Sequence, residues 1–336
     1  MQIAGAFALA ALLASVVTPL SVRLAWAIGW LDHPEARKLH TSATALLGGA
    51  AVALSTVLAW TVLHAVRPAG FEALPLPLLV GLLLAIGLGL WDDRFGLGPL
   101  PKLLVQIACA VLLLLAAGVP DLGIPKPVTA ALAVFVTVAL MNACNFLDNM
   151  NGMLGGIAAL TLAAFAAIGL SGGDARFAPA QLALAGACAG FLPWNFPRAK
   201  TFLGDAGSLV LGYSLAASLL LALQSAPRGW SLLGPPLLLA YPAFDMIFVV
   251  IRRVMEGRRI EQGGRDHTNH RLASLIQCPK RTVLLIWCST AALCASGFAL
   301  SRVQQPLPAL LLWGLWILLF LLTARRLSSV PVPPKV

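Results

Sequence analysis

Eleven apolar stretches alternate with short polar segments along the chain, at roughly 3–28, 46–66, 75–91, 102–118, 127–144, 155–171, 179–194, 208–224, 232–251, 282–300 and 307–323. A helix that crosses a bilayer needs about 20 largely apolar residues, and most of these stretches come close to that length. The alternating ten-residue strands of a membrane barrel are absent. Backbone polar groups in hydrocarbon must bond within their own segment, so the pattern predicts helices. The expected fold is all-α: a polytopic transmembrane bundle of about eleven spanning helices, one domain over residues 1–336, with membrane lipids around it. The first stretch has no basic segment before it and is longer than a signal core, so it reads as the first span.

The polar segments fall into two alternating kinds. Segments 67–74, 119–126, 172–178, 225–231 and 301–306 are short, rich in Pro and Gly, and chemically bland. Segments 31–45, 92–101, 145–154, 195–207 and 252–281 hold most of the acidic residues and all but one of the histidines. Any chemistry is therefore expected at one membrane face. Of the 23 Lys and Arg residues, only Arg67, Lys126, Arg176, Arg228 and Arg302 fall on the bland side, so the positive-inside rule makes the polar face cytoplasmic and the N-terminus external.

Composition agrees, with 59% hydrophobic and 11% charged residues and a mean hydropathy of +0.88, outside the range of soluble domains. The net charge of +10 is explained by this topology. It is not gathered into a basic-aromatic surface, and no nucleic-acid partner is expected. The six cysteines form no CxxC pair and read as small apolar filler. No inverted repeat of the transporter kind is visible.

The cytoplasmic segments carry the candidate chemistry. WDDRFGLGP places Asp92 and Asp93 where a helix leaves the membrane. Adjacent carboxylates repel, and successive helical positions diverge by about 100°, so the two face different partners, or else they form a solvated helix end. In MNACNFLDNMNGM, Asn142, Asn145 and Asn149 follow the spacing of one helix face, with Asp148 beside them. Such groups facing lipid are costly, so they pair with another helix or recognise a polar ligand such as a nucleobase or sugar. WNFPRAKTFLGDAGSLVLGY sets Asp205 between Gly204 and Gly207 at a helix start. Glycines allow close backbone approach, and helix N-termini attract phosphate. Asp205 there suits a hard cation that also holds phosphate oxygens, as Mg²⁺ usually is held, or is merely an N-cap. Phe202 is either packing or a stacking face for a base. The fifth segment combines several arginines with His267 and His270, and helical spacing would put His267 and Arg271 on one face. Two histidines with one nearby acid make a poor zinc set, and phosphate binding with Arg271 is the better reading. Asp245 lies seven residues before Arg252, about 10 Å into the membrane by helical rise, and is expected to orient a loop or accept bonds from a neighbouring helix.

Taken together, DHPEARKLH, DDRFGLGP, NACNFLDNMNG, NFPRAKTFLGDAGSLVLG and DHTNHRL resemble, in order and on one face, the polyprenyl-phosphate N-acetylhexosamine-1-phosphate transferases. These include the GlcNAc-1-phosphate and the phospho-N-acetylmuramoyl-pentapeptide transferases. The resemblance runs from about Asp32 to Leu272. It implies Mg²⁺, or alternatively Mn²⁺, on Asp205, and a catalytic role for Asp92 with Asp93 supporting it. It also implies that Asn145, Asp148 and Phe202 hold the uridine part of the donor, with Asn149 among the substrate contacts. Lys38 and His40 match the basic first loop, and His267, His270 and Arg271 the histidine motif. The expected reaction moves N-acetylhexosamine-1-phosphate from a UDP-N-acetylhexosamine to polyprenyl phosphate, releasing UMP, at the bacterial inner membrane.

Several positions depart from the family pattern. Asn149 and Asn151 replace the usual Gly and second Asp of the third segment, Ala43 and Ala45 stand near missing prolines, and Asn269-His270 replaces adjacent histidines. If the chain is active, that second carboxylate is dispensable, and a simple N-acetylhexosamine donor is favoured over the pentapeptide. The rival readings are the pentapeptide transferase, a transporter or flippase, and an inactive scaffold. A homodimer stays open, since the sequence marks no interface.

Overall fold

The computed structural model describes residues 2–33, 42–66, 73–226, 229–260 and 264–331. The expected Lys38 and His40 lie outside them. The helices are α1 (Gln2–Ile28), α2 (Gly48–Val66), α3 (Leu76–Phe95), α4 (Pro99–Ala117), α5 (Lys126–Leu147), α6 (Met153–Gly172), α7 (Ala178–Asn195), α8 (Gly204–Ser225), the short α9 (Gly234–Leu237), α10 (Ala240–Met255), α11 (Thr268–Ile276), α12 (Pro279–Leu300) and α13 (Pro306–Ser328). Each of the eleven apolar stretches is helical. Among the described residues, nine helices are long and apolar enough to cross a membrane. The pair Trp230–Leu237 and Ala240–Met255, bent by 69°, makes a tenth if counted as one span. This is a multi-pass helical membrane protein.

Two stretches differ from simple spans. Residues 232–251 break at Leu238–Leu239, where Pro235, Pro236 and Pro242 remove backbone donors that a straight helix would use. Helix α7 is less apolar than the other spans because it carries Gln181, Pro193, Trp194 and Asn195, and it packs inside the bundle. A Cβ on Gly186 or Gly190 would meet the carbonyl oxygens of Phe7 and Ala11 at 2.1 Å, and Ala6, Ala10 and Ala14 of α1 are fully buried. Small residues thus bring α1 and α7 into backbone contact, which packs helices where the hydrophobic effect cannot.

Helix α8 runs through the centre, against α3, α5, α2 and α6. Its first turn is crossed closely twice. A Cβ on Gly49 would lie 2.2 Å from the Gly207 nitrogen, and one on Gly89 would lie 2.3 Å from the Ala206 Cα. These crossings bring the start of α2 and the end of α3 onto the start of α8.

A small two-stranded sheet accompanies the helices. Leu31–Asp32 (β1) pairs antiparallel with Thr44–Ala45 (β2). Ala45 in turn bridges Thr201, and the Ala45 carbonyl accepts from the Phe202 backbone N–H at 2.9 Å. Extended loop backbone at the end of an apolar bundle still needs partners, and the first and fourth loops supply them to each other.

The ends of α1, α3, α5, α7, α10 and α13 and the starts of α2, α4, α6, α8 and α12 gather at one end of the bundle. At the other end, Gln224 donates to the carbonyls of Ala117 and Gly118, and the Ser225 hydroxyl bonds the Asp174 carboxylate at 2.9 Å. The described residues of the five chemistry-bearing segments therefore lie at a common end.

Candidate active site

Four helices converge on one cation. Lys102, in the first turn of α4, places its Nζ 2.5 Å from Asp92 Oδ2 and 2.6 Å from Asp205 Oδ2. Asp92, near the end of α3, is fixed by the Leu97 backbone N–H, which donates to its Oδ1 at 2.6 Å. Asp205, in the first turn of α8, accepts on Oδ1 from Asn145 Nδ2 of α5 at 2.5 Å, and the same amide reaches Ser208 Oγ at 3.1 Å.

Asp93 faces the other way, as adjacent helical positions must. Its carboxylate accepts from the backbone N–H groups of Asp205 at 2.8 Å and Ala206 at 3.2 Å, satisfying the open donors at the start of α8. Gly204 turns into this helix at φ +67°, and a Cβ there would lie 2.6 Å from Asp93 Oδ2, so glycine meets both the backbone and the space requirement. Asp93 thus supports the site by shaping the start of α8, while Asp92 points into it.

Asp148 follows α5 directly. Its burial, then the charges of Asp205 and Asp93, push its carboxyl up to about 8, against the opposing pull of the Gly204 backbone N–H. At neutral pH it can therefore offer a proton to a ligand oxygen. Phe202 is tied through its backbone, accepting from Gly48 N–H at 3.0 Å while donating to Ala45, and is half-buried beside Gly204.

The asparagine stripe divides. Asn142 pairs with Gln106 of α4, donating at 2.8 Å, which is helix-to-helix bonding. Only Asn145 reaches the carboxylate cluster. Helix α5 ends at Leu147, so Asn149 leaves the helical face, and its Oδ1 accepts from Asn269 Nδ2 of α11 at 2.5 Å. Asn151 donates to the Pro197 carbonyl at 3.2 Å, a bond that an ionised aspartate could not make.

The fifth segment is ordered by buried ion pairs. Arg253 grips Asp266 through two bonds of 2.9 Å, with both side chains buried. Burial works against the charged Asp266, yet the Arg253 guanidinium holds its carboxyl well below the usual carboxylate range. His267 precedes α11 and places Nδ1 2.8 Å from Asp245 Oδ2, with its ring edge-on to Phe146 at 5.7 Å. His267 and Arg271, which a continuous helix would set on one face, are parted. Arg271 is buried, and its guanidinium donates to the carbonyls of Asp266, Leu327 and Val330, so it anchors the end of α13 rather than joining the carboxylate cluster.

His270 is pulled down to about 4, by burial first and then by His267 and Arg265, with Asp245 and Asp266 opposing. The unfolded imidazole titrates near 6.5 and takes up a proton that the native one refuses, so this share of stability is full above 6.5 and is lost as pH falls towards 4. Going from pH 7.5 to 5 is expected to cost about 1–2 kcal/mol through His270. Thermal unfolding in detergent should show a smaller acid loss in His270→Asn, and an identical loss in both proteins would refute the assignment.

Lys102 belongs to none of the sequence motifs, although one signal points to it. A cation in the first turn of a helix opposes the helix dipole, so Lys102 needs an acidic partner from elsewhere. Ser208 lies within the fourth segment, three residues after Asp205 and so on the same side of the helix start, which is the signal that points to it.

Comparison with known proteins places this arrangement. The family model described as glycosyl transferase family 4 matches residues 75–223, the stretch from α3 through α8 that supplies Asp92, Lys102, Asn145 and Asp205. Over 96% of this chain and 89% of the relative's length, the sequence is 30% identical to the probable undecaprenyl-phosphate N-acetylglucosaminyl 1-phosphate transferase of Bacillus subtilis. The chain belongs to glycosyl transferase family 4. Other family 4 relatives include the decaprenyl-phosphate N-acetylglucosaminephosphotransferase of Mycobacterium tuberculosis H37Rv, 32% identical over 83% of this chain and 79% of that protein. The undecaprenyl-phosphate alpha-N-acetylglucosaminyl 1-phosphate transferase of Escherichia coli O157:H7 is 26% identical over 89% of this chain and 84% of its own length.

Proposed function

We propose that this protein transfers N-acetylglucosamine-1-phosphate from UDP-GlcNAc to polyprenyl phosphate, releasing UMP, at the cytoplasmic face of a bacterial inner membrane. The observation that carries the reading is the Lys102 ammonium held between Asp92 and Asp205 at the phosphate-attracting start of α8. The names of the family 4 relatives support the polyprenyl acceptor and the N-acetylglucosaminyl group.

In this reaction an oxygen of the lipid phosphate forms a bond to the β-phosphorus of the donor. The bond from that phosphorus to the α–β bridging oxygen breaks, and UMP leaves with it. Repulsion between the two anionic substrates is the main barrier, so positioning and electrostatics do most of the catalysis. Lys102 supplies a fixed positive charge, Asp92 orients it, and Asp93 keeps the first N–H groups of α8 in register. Asp148, Asn145 and Phe202 would hold the uridine part of the donor.

The donor set fits Mg²⁺. Among the described residues no three His, Cys, Asp or Glu side chains cluster tightly enough to form a complete cage. Asp205 and the adjacent Asn145 amide oxygen offer hard ligands, and the three acidic side chains Asp92, Asp93 and Asp205 around the single Lys102 ammonium favour a further cation beside it. Mg²⁺ is usually bound in this way, by one or two protein oxygens with water and substrate phosphate completing the shell. When bound, it would neutralise charge developing on the diphosphate.

Asn149 and Asn269 join the third and fifth segments side by side, and Arg271 is engaged internally, which leaves little provision for reading a peptide. UDP-GlcNAc is therefore expected to outcompete UDP-MurNAc-pentapeptide for UMP release from purified protein with polyprenyl phosphate and Mg²⁺. Faster turnover of the pentapeptide donor would reassign the substrate, and no UMP from any UDP-sugar would remove the transferase reading.

A further inference from the structure

Asp245 lies on α10 and is fully buried. Both of its carboxylate oxygens are engaged. Oδ2 faces His267 Nδ1 at 2.8 Å, while Oδ1 accepts from the Thr268 backbone N–H at 2.8 Å and the Thr268 hydroxyl at 2.5 Å. The Tyr241 hydroxyl, one turn earlier on α10, lies 3.3 Å from the same Thr268 oxygen. Stability alone does not call for this arrangement, because well-packed apolar residues often replace buried polar or ionic pairs at no loss. A carboxylate does one thing that an apolar side chain cannot. It holds a hydrogen on one ring nitrogen of His267 and thereby decides what the other nitrogen offers.

The surroundings of the ring point the same way. Phe146 meets it edge-on, and Phe146 directly follows Asn145, the partner of Asp205. Asn269, two residues after His267, is bonded to Asn149 just beyond α5. Asp245 of α10 thus holds the histidine on one side, and Phe146 of α5 meets it on another. The charged and titratable groups around it are Asp245 from α10, Arg253 stacked 5.5 Å from the Phe146 ring, Arg265 and Asp266 from the preceding loop, and His270 from α11 at 6.2 Å.

We propose that Asp245 is a positioning residue that fixes His267 with its hydrogen on Nδ1, so that Nε2 carries the lone pair and accepts a hydrogen bond from the hydroxyl of the singly protonated lipid phosphate. The identity of that phosphate rests on the transferase reading, whereas the tautomer does not.

The test combines ¹⁵N-histidine NMR of the full-length protein in nanodiscs, without substrate, with UMP-release kinetics. His267→Gln identifies the His267 resonances. The wild type should show His267 protonated at Nδ1. In Asp245→Asn the new amide can donate to Nδ1 while its oxygen still accepts from Thr268, so the hydrogen should move to Nε2. Turnover in that variant should fall about 10- to 100-fold, the range for removing a group that orients a functional histidine, with KM for the UDP-sugar nearly unchanged. Asp245→Glu, which keeps the carboxylate, should keep the wild-type tautomer and recover part of the rate. Asp245→Asn combined with His267→Gln should lose no more than His267→Gln alone, because both act through one group. An Nε2–H tautomer in the wild type, wild-type turnover in Asp245→Asn, or losses that multiply in the double variant would each overturn the proposal. If Asp245→Asn does not fold, the wild-type and Asp245→Glu spectra decide the question. The spectra need no substrate, so absence of UMP from any UDP-sugar would sink the transferase reading while the tautomer of His267 still supports or overturns the role of Asp245.

Discussion

Lys102→Met is expected to lower UMP release by about a thousandfold, the upper end of what removal of one preorganised charge-stabilising group costs, while the protein still folds. The ammonium sits 2.5 Å from one carboxylate and 2.6 Å from another. Without it, Asp92 and Asp205 face each other with their repulsion unrelieved, and two anionic substrates must approach that pair. The pairs are partly buried, with the Lys102 side chain 17% exposed, so Lys102→Met should also cost some stability, and a melting curve in detergent shows that the variant is folded when turnover is measured. Lys102→Arg should recover little, since a planar guanidinium cannot place a single nitrogen between two oxygens as a compact ammonium does. UMP release at saturating donor and lipid acceptor measures both variants, and near wild-type turnover of Lys102→Met would remove Lys102 from the mechanism.

Asp205→Asn is expected to cost at least as much. The substitution keeps the shape of the side chain, and Asp93 still holds the backbone N–H groups at the start of α8, so fold and expression should be retained. What disappears is the charge that pairs with Lys102 and offers a hard oxygen to Mg²⁺. Activity should drop about a thousandfold or more, with little rescue by excess Mg²⁺ or Mn²⁺. A second readout does not need turnover: binding to the native state alone raises thermal stability, so Mg²⁺ should raise the melting temperature of the wild type and not of the variant. An equal rise in both proteins would place the metal elsewhere.

The positions of most site residues are legible in the sequence because they interrupt apolar runs. Asp92, Asp93, Asn145 and Asp205 stand at the ends of helices whose bounds the hydropathy pattern gives, and polar groups there must find partners. Their division of labour is only partly legible. Adjacency implies that Asp92 and Asp93 face different partners, yet that Asp93 caps α8 while Asp92 meets Lys102 depends on how α3 lies against α8. In the sequence Lys102 is one more of the charges that set the topology. Its role emerges only when α4 is brought against α8, 103 positions later.

Spacing misleads where an element ends sooner than its pattern. Asn142, Asn145 and Asn149 share a face only while the helix lasts, and α5 stops at Leu147. Each therefore bonds a different neighbour: Gln106, Asp205 and Asn269. Charge alone assigns Arg271 to phosphate, whereas its depth in the fold commits it to the carbonyls near the end of α13.

By itself the sequence determined that this is a helical membrane protein with its chemistry gathered at one face, because hydrocarbon tolerates apolar helices and excludes polar side chains without partners. Only the tertiary structure decided which carboxylate meets which cation. Those choices depend on the close crossings at Gly49 with Gly207 and at Gly89 with Ala206, where helices far apart in sequence come near enough for side chains to share a proton or a charge.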